Sequence, residues 1–157
     1  MSTIRERVVR GIEVGDVYTV TRTFTQADME PFARVSRDYN PVHFDARFAK
    51  THGFRDRVCH GLLVASMVTE VGGQMGWLAS GMIFRFLRPV YLEDTVTCRV
   101  QVMEIDGRGR ARAEARFQNQ HGEAVLEGEV TGVVPGPAQR DVLAAMLEEG
   151  DTTNPMR

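Results

Sequence analysis

A carboxylate and an imidazole stand five residues apart in Arg37-Asp38-Tyr39-Asn40-Pro41-Val42-His43. An acid and an imidazole held close together can take up a proton and hand it back, which is general acid–base chemistry. Fully extended, the stretch from Asp38 to His43 would span about 17 Å. Asn40-Pro41 bends it, because proline drives the residue before it out of the helical region. Both side chains can then point into one cavity. Downstream, Cys59-His60-Gly61 opens a long, nearly uncharged segment. A glycine at the head of a helix offers a backbone N–H to an oxyanion with no side chain in the way, and the helix dipole adds to the attraction. For His60 two readings stand together: it shapes the turn before Gly61, or it takes a direct part in the chemistry.

Other chemistries fit less well. The residue types of His43, His52, Cys59 and His60 suit zinc. Adjacent Cys59 and His60 rarely ligate one tetrahedral ion together, however, and no CxxC or HxxxH spacing occurs. No metal site and no organic cofactor are expected. Two cysteines are too few for the disulfide framework of a small secreted scaffold. The net charge of −2 creates no field that would draw the chain to nucleic acid or to an anionic membrane. The first ten residues carry four charges and no apolar core, unlike a signal peptide. No uncharged apolar run reaches the roughly 18 residues of a membrane span. A soluble cytoplasmic protein is expected.

The elements that must position these groups follow from pattern. Val17 to Phe24 is β-branched and aromatic and reads as a strand. Thr25-Gln26-Ala27-Asp28 is a capping-box pattern, followed by Met29, Phe32 and Val35 at helical spacing. Pro31 leaves the start of this helix open. With Thr25 as cap it falls in the second turn, and with Asp28 as cap in the first. The helix is expected to run to about Asp38. Asp45 caps a short helix to Lys50, and Gly53 marks a turn. Leu62 to Val71 is apolar on nearly every side, as a helix surrounded by protein would be. Its polar residues, Ser66, Thr69 and Glu70, share one face. After Gly81 the period changes to two. Strands are expected at Met82 to Leu87, Val96 to Val102, Ala111 to Phe117 and Ala124 to Val134, with turns at Asp106 to Gly109 and Gln120 to Glu123.

With 157 residues, 43% of them hydrophobic and 25% charged, the chain suits one globular domain. Residues 1–14 read as a weakly patterned N-terminal segment and 15–136 as the domain. Residues 137–157 read as a short amphipathic helix, Gln139 to Glu149, and a disordered tail from Asp151. The fold class is α+β, a curved antiparallel sheet wrapped around one long buried helix. One sheet covers only part of a helix that is apolar all round. A second copy joined sheet edge to sheet edge would cover the rest and remove an exposed edge, so a homodimer or dimer-based oligomer is expected.

Asp38-Tyr39-Asn40-Pro41-Val42-His43-Phe44-Asp45, then Cys59-His60-Gly61-Leu62-Leu63-Val64-Ala65-Ser66, then Phe86-Leu87-Arg88-Pro89-Val90 resemble the MaoC-like hot-dog hydratases, and among them the (R)-specific enoyl-CoA hydratases. The likeness runs from about Gly15 to Val134. It implies a hot-dog fold, a homodimer as the minimum unit, and hydration of trans-2-enoyl-CoA to (R)-3-hydroxyacyl-CoA. The acyl-CoA thioester brings coenzyme A as part of the substrate. By the same resemblance Asp38 and His43 are catalytic and Asn40 orients their loop. Gly61 and His60 form the oxyanion side, and Thr69, with Ser66, belongs to the substrate pocket. Many members carry glycine before the aspartate, where this chain has Arg37. Two other functions share the fold. A thioesterase would place a carboxylate on the central helix, where Glu70 is the candidate. A non-catalytic acyl-CoA-binding subunit would bind without turnover. Arg85 and Arg88 are candidates for the phosphates of coenzyme A.

Overall fold

Alternation of apolar and polar residues builds the sheet. The computed structural model describes residues 3–155. Its five strands are β1 (Val17–Thr23), β2 (Leu78–Phe86), β3 (Thr95–Ile105), β4 (Arg110–Gln118) and β5 (Ala124–Val133). All pair antiparallel in one sheet of order β1-β3-β4-β5-β2. Val96, Cys98, Val100 and Val102 on β3 face inward with Ala111, Ala113, Ala115 and Phe117 on β4. The alanines leave room for a helix to lie close against the sheet. Two hairpin turns fall where expected, with Gly109 and Gly122 at positive φ. β2 begins at Leu78, four residues earlier than the pattern suggests. Gly81, after which the period changes in the sequence, lies at a register shift between Ala79 and Gly81 inside the strand.

The helix in the sheet's hollow is not one piece. α4 (Gly61–Ala65) and α5 (Met67–Met75) meet at Ser66. Ser66 Oγ donates to the carbonyl of Leu63 at 2.6 Å, and Thr69 N donates to the carbonyl of Ser66 at 2.8 Å. These i to i−3 bonds tighten the turn and break the helix. Val64, Met67, Val71 and Met75 enter the core with Val96, Cys98, Val100 and Phe117. The expected all-round burial also fails on one side, where Leu62 and Thr69 are exposed.

α2 (Gln26–Ser36) starts at Thr25, whose N–H and hydroxyl both donate to Asp28 Oδ2 at 2.9 and 3.0 Å. Pro31 therefore sits in the second turn. The helix stops at Ser36, short of Asp38, because Arg37 turns into the left-handed region at φ 60°. α3 (Ala46–Thr51) is capped by Asp45, which accepts from Arg47 N at 2.8 Å.

The described residues near both ends are structured, where the sequence reads a weakly patterned N-terminal segment and a disordered tail from Asp151. α1 (Ile4–Arg10) has a capping box of Thr3 and Glu6 and buries Val8 in the core. α6 (Pro137–Glu148) lies against it. Arg5 explains the tail. Its guanidinium holds the carbonyls of Gly73 and Gln74 at the end of α5 and pairs with Asp151 at 2.6 Å. Asp151 and Asn154 are buried as a result, while Met156 and Arg157 lie outside the described residues. Among the described residues no helix is long and apolar enough to cross a membrane.

Candidate active site

The turn after α2 sets the acid. Arg37 reverses the chain, Asp38 N donates to Ser36 Oγ at 3.2 Å, and Asp38 Oδ1 accepts from Asn40 N at 3.2 Å. That bond closes an Asx turn and fixes the carboxylate on its own backbone. Asn40 then caps the single 3-10 turn Pro41–His43, its Oδ1 accepting from Val42 N at 3.1 Å. Asn40 thus orients the loop.

His43 is held from across the fold. Its Nδ1 lies 2.8 Å from the carbonyl of Val58. A carbonyl only accepts, so Nδ1 carries the proton and the neutral ring keeps a lone pair on Nε2. Nε2 faces Asp38 Oδ2 at 3.6 Å, longer than a direct hydrogen bond. Val58 is held in turn by its own N–H to Val42 and by a bridge to Tyr91, and Cys59 N donates to the carbonyl of Val90 at 2.7 Å. The three separated motifs therefore meet in one lattice of backbone bonds.

His60 lies beneath the pair, 1% exposed. Its ring stacks on His43 at 3.8 Å, and its Nε2 donates to the backbone carbonyl of Asp38 at 3.0 Å. Burial, assisted by the neighbouring His43, holds its basicity below the ordinary imidazole range against the pull of Asp38. It stays neutral and steadies the loop without placing a second charge beside His43. Gly61 follows at the head of α4, where first-turn N–H groups have no partner inside the helix. A β-carbon at Gly61 would come within 2.6 Å of the Phe86 ring. Asp38, His43 and Gly61 line a cavity of about 480 Å³ whose walls are otherwise mainly apolar, among them Phe54, Leu62, Val64 and Leu126.

A family model described as the MaoC like domain matches residues 12–124. The chain belongs to the MaoC-like family. It is 33% identical over 130 residues to a 3-hydroxyacyl-acyl-carrier-protein dehydratase, mitochondrial, of Arabidopsis thaliana, covering 79% of this chain and 78% of that one. It is 31% identical over 131 residues to the (R)-specific enoyl-CoA hydratase of Aeromonas caviae, covering 80% and 98%. An unliganded R-hydratase from Pseudomonas aeruginosa superposes with a TM-score of 0.74 at 34% identity, over 81% of this chain and 84% of that one. The architecture is accordingly the hot-dog fold.

Within this MaoC-like site, Asp38, His43, His60 and Gly61 come together and Asn40 supports them. Ser66 and Thr69 do not join them. The Ser66 hydroxyl is spent on Leu63, and Thr69 Oγ1 donates to the carbonyl of Ser66 at 2.6 Å. Thr69 lines a separate apolar cavity of about 270 Å³ with Gly72, Trp77 and Met82. Glu70 lines neither cavity. Cys59 reaches the first, but burial, then Asp94 and Asp28, push its thiol up to about 12, so it is no nucleophile. His52 packs beside Phe48 and Phe54 instead.

Asp38, His43 and His60 each offer one ligand atom within 4.8 Å of the others. The rings are stacked, and one nitrogen of each is already engaged. That arrangement suits proton transfer better than an ion cage. The carbonyl of Val58 and the stacking of the two histidines had no signal in the sequence: a backbone atom has no side-chain identity, and ring stacking depends on tertiary position.

Proposed function

We propose that the chain is an (R)-specific enoyl-CoA hydratase that also runs the reverse dehydration of 3-hydroxyacyl-CoA. Relatives spanning about four-fifths of it are named hydratases and dehydratases, which are hydro-lyases. One observation carries the finer reading. The Val58 carbonyl leaves His43 Nε2 free to face the Asp38 carboxylate across 3.6 Å, at the wall of an apolar cavity. Both atoms accept, so a water between them donates one hydrogen to each. As the water oxygen bonds to C3 of the enoyl thioester, His43 Nε2 takes its proton. The C2–C3 π electrons move into the enolate, whose oxygen is met by the N–H of Gly61. The proton then returns from Nε2 to C2 on the same face, which makes the addition syn. Coenzyme A takes part only as the carrier of the substrate, and no other cofactor enters.

The test is loss of the conjugated-thioester absorbance with crotonyl-CoA and longer enoyl-CoAs, followed by chiral analysis of the product. Accumulation of the (R)-3-hydroxyacyl product is expected. No absorbance loss, or an (S) product, overturns the reading. Release of free thiol instead would favour the thioesterase, although Glu70 is not placed for it.

We also infer that a second copy pairs along the free edge of β2. That edge leaves a row of backbone polar groups open, and Leu78, Ile83 and Phe86 on it are 75%, 64% and 57% exposed. Exposed apolar residues on an unpaired edge are what edge-to-edge pairing covers. Sedimentation at twice the 17.6 kDa chain mass is expected, and a monomer at micromolar concentration overturns it.

A further inference from the structure

His60 is tied to both members of the proton-transfer pair yet held out of the cavity they line. His43 and Gly61 stand on the cavity wall, whereas His60 is 1% exposed behind them. A side chain buried this far does not touch a substrate, so any part it takes in the chemistry passes through a neighbour. Its aromatic neighbours fix its position. One face lies on the His43 ring, with centroids 3.8 Å apart and planes 27° from parallel. Phe32 tilts against it at 5.1 Å, and Phe44 meets it edge-on at 5.8 Å. Phe44 also meets His43 edge-on, at 6.3 Å, and so braces the two rings together. The protons on the two rings are unequally placed. His60 Nε2 donates to the Asp38 carbonyl at 3.0 Å, which leaves the lone pair on Nδ1. That nitrogen is buried and, among the described residues, has no hydrogen-bond partner. A proton added there would find no acceptor, and burial already disfavours a charge on this ring. His43 is the reverse case. Its Nδ1–H is held by the Val58 carbonyl, and its Nε2 faces Asp38 at the cavity wall. One ring of the stack is thus kept neutral while the other is free to become charged.

A neutral aromatic face within about 6 Å of a cation attracts it, most strongly where water is excluded. Here that attraction arises only while His43 carries the proton taken from water. We infer that His60 is a positioning residue that stabilises the imidazolium of His43 through its stacked face, and so lowers the barrier to hydration without touching the substrate. This rests on the hydratase reading above. No proton passes to His60: the water's proton goes to His43 Nε2 and from there to C2. The imidazolium exists along the reaction path and not in the substrate complex, so the contribution falls on kcat rather than on KM.

The test measures kcat and KM with crotonyl-CoA in variants that separate the ring face from the hydrogen bond. His60→Leu removes both, His60→Gln keeps a donor for the Asp38 carbonyl, and His60→Phe keeps the face. His60→Leu and His60→Gln should each lower kcat by about tenfold with KM within about twofold, and His60→Phe should recover most of that loss. In a His43→Ala background, where no imidazolium forms, His60→Leu should cost nothing further. Recovery by His60→Gln in place of His60→Phe would assign the effect to the bond with Asp38 and overturn the inference. So would an unchanged kcat in His60→Leu, a rise in KM that matches the fall in kcat, or the same loss in the His43→Ala background. Should His60→Leu not fold by circular dichroism, the His60→Gln and His60→Phe pair decides. Absence of turnover in the wild type refutes the hydratase reading and this role with it. Wild-type turnover that His60→Leu and His60→Gln match refutes the role of the stacked ring alone.

Discussion

Between Arg37 and Phe44 the backbone is almost wholly irregular, yet its polar groups are tied to one another and to Val58. Along β2 the backbone is regular apart from the shift at Ala79/Gly81, yet among the described residues one side of the strand has no partner and its apolar side chains face outward. Regularity and completeness are therefore separate properties here. The proposed catalytic pair sits where the loop is tied down, because a proton-transfer pair must be held in one geometry. The strand is regular because one neighbour, β5, suffices to shape it, and its unmatched side is what remains for another chain.

The largest effect should come from breaking the matched region. Asp38→Asn and His43→Ala are expected to lower kcat by about a hundred- to ten-thousandfold while leaving circular dichroism unchanged. Normal turnover in either variant would refute the mechanism. The open region is tested next by Ile83→Arg, which sets like charges against each other across a paired edge. It should halve the sedimentation mass of the wild-type assembly. An unaltered dimer would move the interface elsewhere.

Two smaller effects sharpen the account of the loop. The basicity of His60 is depressed in the folded state, so below its ordinary value of about 6.5 the unfolded chain binds a proton that the folded chain refuses. Stability should fall as pH drops through that value, by up to about 1.4 kcal/mol per pH unit. Urea midpoints at pH 7.5 and 5.5 measure this, and His60→Asn should flatten the slope. An unchanged slope would mean that other groups cause it. Arg37 occupies the left-handed region at φ 60°, which costs a residue with a β-carbon about 1–2 kcal/mol. Glycine there should stabilise the chain by about 0.5–1 kcal/mol after its greater unfolded-state freedom is deducted. A loss of stability on Arg37→Gly would show that the arginine side chain makes up for the strain.

What could be read from the sequence was what local chemistry determines. Asn40-Pro41, the Asp45 cap, the hairpin turns and the alternation on β3 and β4 each act within a few residues, and each appears where expected. Gly61 and His60 were legible as the opening of a helix, and the structure adds that His60 is stacked under His43. The readings that failed needed a distant partner or a competing hydrogen bond. Ser66 looked like a polar spot on a continuous helix, but its hydroxyl takes the Leu63 carbonyl and breaks that helix. Gly81 looked like a boundary because the alternation is clear only after it, past the register shift inside β2. The Thr3-x-x-Glu6 capping box of α1 was present to be read, although a helix of seven residues shows too little period to support it. Asp151 carried no signal at all, since its partner is Arg5 at the other end of the chain.

That last pair has a kinetic consequence. Arg5 and Asp151 close a loop of 146 residues, among the costliest closures the chain can make. Such a contact forms readily only after the sheet and α5 have already drawn the two ends together. Docking of α1 against α6 should thus be the final step of folding and their parting the first step of opening. In native-state hydrogen exchange the amides of α1 and α6 should exchange by a smaller opening than those of β3 and β4. Equal protection in all four would mean that the ends close along with the core.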